Sequence, residues 1–200
     1  TRALYIEDHS HIKLNGLTIR YFQDLGIGIQ GDVQDIWIKR CVFEDILNYA
    51  ITQGFGNWRI NADPEYATDL HVTDCYFQGN TVTAGGGAIY NGFGNTDGTV
   101  EMIFSNCTFL ENTASDGADL GTGGAYQSTK VGHNATFTNC LLDGNKALGS
   151  ADDGGGAIMA YAGMVTIMNS TLVNNESASH GGAASVFDAN GSVNFKNSLL

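Results

Sequence analysis

Four aspartates and a histidine are the residues of this chain best suited to chemistry. Asp116 and Asp119 share one Gly-rich loop, Asp152 and Asp153 the next, and His180 lies in the one after. Carboxylates together with loop carbonyl oxygens are ligands for a hard cation such as Ca2+. Two carboxylates placed across a sugar bond are instead the machinery of glycoside hydrolysis. On a solvated edge the same charges do neither. A second set suits contact with a ligand: Trp37, Trp58, Arg59, Tyr66, Tyr90 and Gln127. Aromatic side chains offer an apolar body with a polar tip, which fits sugar recognition. Trp58, Arg59 and Tyr66 fall in the longest irregular stretch, residues 53–69, which also holds the single Pro. Long loops on rigid scaffolds tend to carry function, although such a loop also folds over its scaffold and buries its rings. Trp37 lies between Ile36 and Ile38, so it points outward, toward a sugar or beneath a covering loop.

The elements that must position these residues are written as a repeat. Leu17, Cys41, Cys75, Cys107, Cys140, Ser170 and Ser198 occupy one equivalent place in successive units. Five and three residues before each stand apolar pairs such as Ile36/Ile38, Met102/Phe104 and Val165/Ile167. Two residues after it stand Ile19, Phe43, Phe77, Phe109, Leu142, Leu172 and Leu200. Apolar residues two apart line one face of a strand. The polar step between the pairs, as in Ser105-Asn106, marks a corner between two strands. A third strand follows each loop, aligned through Gly28-Ile29, Ala50-Ile51, Ala88-Ile89, Ala125-Tyr126, Ala157-Ile158 and Ala183-Ala184. Helical periodicity is absent. Such units bury their apolar faces only by stacking, and parallel crossovers wind right-handed. The expected fold is all-β, a right-handed parallel β-helix spanning residues 1–200, with about seven rungs of three short strands, a rod roughly 30–35 Å long.

Two ladders run up this rod. Asn80, Asn112, Asn145 and Asn175 sit five residues after the anchor, where stacked amides bond one another and tolerate the left-handed backbone of a tight bend. Cys41, Cys75, Cys107 and Cys140 share one inward position, which predicts buried, unpaired thiols. A single column cannot give zinc its tetrahedron. The two long Asp-bearing loops fall on adjacent rungs, so stacking should bring their carboxylates together. Four sequon matches, at Asn106, Asn134, Asn169 and Asn175, follow from Asn- and Thr-rich bends and are no evidence of glycosylation.

A net charge of −12 with only 9 Lys+Arg argues against nucleic acid and anionic membrane surfaces as partners. No apolar run is long enough for membrane insertion, and no stretch of the chain reads as a signal peptide. The chain opens and closes inside repeat units without polar caps, which reads as a fragment of a longer protein.

Phe77-Gln-Gly-Asn80, Phe109-Leu-Glu-Asn112 and the Gly-Gly-Ala tripeptides ending at Ala88, Ala125, Ala157 and Ala183 resemble polymorphic outer membrane protein repeats, over residues 70–200. The first third looks like the β-helix of carbohydrate-active proteins. Both resemblances imply a secreted or bacterial cell-surface protein. The Asp-Asp pair followed by His180 also resembles polygalacturonase-type hydrolases, but their Asn-Thr-Asp and Arg-Ile-Lys segments have no counterpart. The leading expectation is an extracellular module for adhesion or carbohydrate binding, with a polysaccharide or cell-surface glycan as partner and Ca2+ as a possible cofactor. The alternative is a polysaccharide-degrading enzyme, hydrolase or lyase, with its acids among Asp116, Asp119, Asp152 and Asp153. A plain structural spacer is the third.

Overall fold

A computed structural model describes residues 2–30, 33–53, 69–83, 85–92, 100–115, 122–149 and 154–200. No helical segment occurs among them. The strands form four parallel sheets in which each strand pairs with its counterpart one coil away. Sheet one comprises Leu4–Glu7, Ile27–Gln30, Ile51–Gln53, Ile89–Asn91, Tyr126–Ser128, Ile158–Ala160 and Ala184–Val186. Sheet two comprises Lys13–Asn15, Ile36–Lys39, Asp69–Thr73, Val100–Ser105, His133–Thr138, Met164–Met168 and Ser192–Lys196. Sheet three comprises Thr18–Arg20, Val42–Glu44, Tyr76–Gln78, Thr108–Leu110, Leu141–Asp143 and Thr171–Val173. A fourth sheet of two-residue strands, Thr81–Val82, Thr113–Ala114, Lys146–Ala147 and Glu176–Ser177, adds a strand that the apolar pattern did not announce. Two residues are too short for a period to register.

This is the stacked β-helix that the repeat implies, with the expected register on sheets two and three. Leu14, Ile38, Val72, Phe104, Phe137, Ile167 and Phe195 form one continuous inward row. Ile19, Phe43, Phe77, Phe109, Leu142 and Leu172 form another. Their rings stack at the strand spacing: Phe43 on Phe77 at 4.8 Å and Phe77 on Phe109 at 4.7 Å, with planes almost parallel. Phe104 meets Phe109 edge to face at 5.6 Å across the core. Each fully buried Phe contributes roughly 1.5–3 kcal/mol of burial.

Left-handed backbone makes the corners. The residue before each anchor has positive φ: Gly16, Arg40, Asp74, Asn106, Asn139, Asn169 and Asn197. So does the residue four after it: Tyr21, Asp45, Gly79, Glu111, Gly144 and Asn174. The ladder asparagines therefore do not take the left-handed conformation themselves; the residue in front of each does. That single residue reverses the outward/inward phase and turns the Asn side chain into the core.

Sheet one departs from expectation in two ways. Its register pairs Ile27, not the expected Ile29, with Ile51, which sets Tyr5, Gly28, Thr52, Tyr90, Gln127, Met159 and Ser185 in one outward row and leaves Gln30 two residues further on, beside Glu7. The run Gly26-Ile27-Gly28-Ile29 offers two placements of equal pattern, and pairing with Ala50-Ile51 selects the first. The row is also covered: Thr52, Met159 and Gln127 are 0%, 0% and 6% exposed. Leu25, Tyr49, Val82 and Ala114 form a second apolar cluster, against which Tyr90 packs. The glycine turns close over this face. A Cβ on Gly85 would lie 2.4 Å from the Tyr90 ring. One on Gly124 would lie 2.3 Å from the Gly156 carbonyl oxygen and 2.4 Å from the Lys146 nitrogen.

Candidate functional site

The stems of the two long Asp-bearing loops are neighbours at both ends. They leave from Thr113–Ala114 and Lys146–Ala147, which pair directly. They return at Gly124 and Gly156, where the Gly124 N–H donates to the Gly156 carbonyl at 2.9 Å. Asp116, Asp119, Asp152 and Asp153 themselves lie outside the described residues. His180 is exposed one coil on, its backbone N–H donating to Ser177 Oγ at 3.2 Å. Trp58, Arg59 and Tyr66 also lie outside the described residues. Among the described residues no group of three or more His, Cys, Asp or Glu is arranged to hold a metal.

Trp37 faces outward, 37% exposed. Its indole stacks on His71 of the next coil, with centroids 4.0 Å apart and planes 10° apart. The indole N–H donates to Asp35, which His11 also holds at 2.9 Å. Those hydrogen bonds keep the Asp35 carboxyl below the usual range. The stack runs along the rod, so one ring face is spent on His71 and the ring edge meets solvent. Tyr90 is half-buried beside Tyr49, with centroids at 4.9 Å, and burial raises both phenol pKa values. Gln127 sits beneath the glycine turns, away from the open surface.

Sheet two presents an open lateral face. Its central outward row runs Lys13, Trp37, His71, Ile103, Thr136, Thr166 and Asn194 through adjacent coils, all partly or fully exposed. Paired strands hold these side chains at one backbone spacing of ~4.8 Å. That geometry suits contact with an extended partner.

A buried polar nest was missed by sequence reasoning. Asn91, Ser128 and His133 lie at the corner between sheets one and two, with the Tyr126 hydroxyl. Asn91 Nδ2 donates to the Tyr126 hydroxyl at 3.1 Å, and His133 Nδ1 lies 3.2 Å from the Asn91 carbonyl, to which it donates. Burial holds the His133 pKa below its ordinary value, aided by Lys130. The signal was there: Asn91 and Ser128 break the apolar inward phase of their strands.

Stacked coils, Phe and Asn ladders and glycine-pair turns together define a repeat-built parallel β-helix. The comparisons narrow the type of repeat. The Chlamydia polymorphic membrane protein repeat matches residues 74–92, the stretch from Asp74 through Asn80 to the first Gly-Gly-Ala. The chain is also similar to the probable autotransporter YfaL of Escherichia coli (strain K12), with 30% identity over 148 residues. That alignment takes in 68% of this chain and 11% of the relative, so the chain spans a small part of that protein. No solved structure matches. The chain thus carries repeats resembling those of polymorphic membrane proteins, on the parallel β-helix they suggest. No helix among the described residues is long and apolar enough to cross a membrane.

Proposed function

We propose that this β-helix is a surface-displayed binding module, secreted or held at the bacterial cell surface, that presents sheet two to a polysaccharide or cell-surface glycan. The observation that carries the reading is similarity to a probable autotransporter over 68% of the chain, together with the polymorphic membrane protein repeat. Both likenesses favour a surface-exposed module, and a rod with a regular open face is suited to adhesion there. Sheet two is chosen over sheet one because Thr52, Gln127 and Met159 in the latter's outer row are covered. On sheet two the Trp37–His71 pair and Ile103 offer apolar contact, and Thr136 and Thr166 offer hydroxyl hydrogen bonds, to a sugar chain.

The test is a glycan array probed with the purified chain, run with Ca2+ and with EDTA. Saturable binding is expected, weakened at least tenfold by Thr136→Arg with Thr166→Arg and unchanged by Thr108→Arg on sheet three. Absence of binding at ~100 μM to every glycan and to intact cells would leave a structural spacer. Release of new reducing ends, lost in Asp152→Asn with Asp153→Asn, would make the protein an enzyme instead.

A further inference from the structure

The four cysteines form a column repeated coil by coil. Cys41, Cys75, Cys107 and Cys140 follow the left-handed corner residue on consecutive coils, each 1–3% exposed and none in a disulfide. Every thiol donates to the carbonyl two residues behind it, at 3.3–3.4 Å. The last three also reach a carbonyl of the preceding coil, at 3.4–3.7 Å. Identical contacts mean identical rotamers, so the sulfurs repeat at the coil spacing of ~4.8 Å. Hydrogen bonding with Cys140 and Cys75, and burial, push the Cys107 thiol far above its usual range, and burial raises Cys41, while the hydrogen bond each shares with Cys107 lowers Cys75 and Cys140.

A straight column cannot surround a tetrahedral ion. It does meet the need of an ion that takes two ligands in a line. With a metal–sulfur bond of about 2.3–2.4 Å, two sulfurs must face each other about 4.7 Å apart. That matches the coil spacing to within a few tenths of an ångström. Sulfur ligands select soft metals. Charge then narrows the choice, because an uncompensated charge in this core is expensive. Two thiols and one Hg2+ give one neutral RS–Hg–SR unit and two protons. A monovalent ion between two thiolates would leave one negative charge behind.

We propose that adjacent cysteines of this column form linear bis-thiolate sites for a soft divalent ion, represented by Hg2+, with Cys41 paired to Cys75 and Cys107 to Cys140. Each ion ties two coils together and displaces two protons.

The experiment adds HgCl2 to the folded chain and counts ions by native mass spectrometry, protons by pH-stat, and secondary structure by circular dichroism. Two ions per chain and two protons per ion are expected, with the β signal kept. Two double variants decide the geometry. Cys41→Ser with Cys140→Ser leaves the neighbours Cys75 and Cys107 and should bind one ion between two sulfurs. Cys75→Ser with Cys140→Ser leaves Cys41 and Cys107 two coils apart and should bind none in that linear form. Both have two thiols, and serine is already accommodated in the column. Ser170 Oγ donates to the Met168 carbonyl at 2.8 Å and accepts the Cys140 N–H at 3.0 Å. Equal uptake by the two variants, one ion per thiol in the native chain, no uptake, or uptake only with loss of the β signal would each overturn the proposal.

Discussion

Asn112→Ala tests the ladder most directly. Asn112 is fully buried, and its side chain joins three coils. Its Nδ2 donates to the Phe77 carbonyl and to Asn145 Oδ1, each at 3.0 Å. Its Oδ1 accepts from the Asn80 backbone N–H at 3.1 Å and from Asn80 Nδ2 at 2.8 Å. Alanine removes all four bonds. Asn145 Oδ1 keeps the Asn112 N–H at 3.1 Å. The Asn80 N–H, one Nδ2 hydrogen of Asn80 and the Phe77 carbonyl lose these partners. At about 1–3 kcal/mol for each buried group left unmatched, the change should cost about 3–9 kcal/mol. For a chain of this size that lowers Tm by roughly 6–36 °C. Urea and thermal unfolding followed by circular dichroism measure it. Asn112→Leu should be no better, because it supplies no polar partner. Asn139→Ala is the control: Asn139 is exposed at φ 54°, so alanine costs about 1–2 kcal/mol of left-handed strain and glycine almost nothing. If Asn112→Ala stays within ~0.5 kcal/mol of the native chain, or Asn139→Ala costs as much, the saturated-ladder account is wrong.

Gly124→Ala should lose more than about 3 kcal/mol, because its Cβ would meet two backbone atoms within 2.4 Å. Gly16→Ala has open space and should pay only the ~1 kcal/mol of strain at φ 71°, a contrast read from urea midpoints. Iodoacetamide should label the folded chain slowly and all four cysteines after unfolding, with no disulfide found by mass spectrometry. His133 has a depressed pKa in the fold, so the unfolded chain binds its proton first. Stability should be full above the unfolded value of ~6.5 and fall as pH drops below it toward the folded value. His133→Val, which copies Val100 on the neighbouring coil, should flatten stability against pH in that window; an unchanged slope would assign it elsewhere.

The coil was legible because every unit repeats the same constraint. Ile36/Ile38 and Phe43 state where a strand turns inward, and the polar step at Lys39-Arg40 states where the chain bends. The repeat also placed the stems of the two Asp loops side by side, since adjacent units in sequence become adjacent coils in space. Sequence reasoning did not reach the surface of the candidate site. Tyr90 and Gln127 alternate with apolar residues like any outward strand position, and alternation cannot say whether another layer lies over them. That was decided by the glycine turns, which carry no side chain and therefore let the backbone close over sheet one. Trp37 read as an outward ring, met by a sugar or by a covering loop, and only the coil register set His71 against its face. The inward phase, the corner positions and the thiol column follow from sequence because they depend on neighbours a fixed number of residues away. What covers a face, and which polar groups share a buried corner, depends on where loops return. Only the tertiary structure decides that, since loop path is set by packing against distant coils rather than by local period.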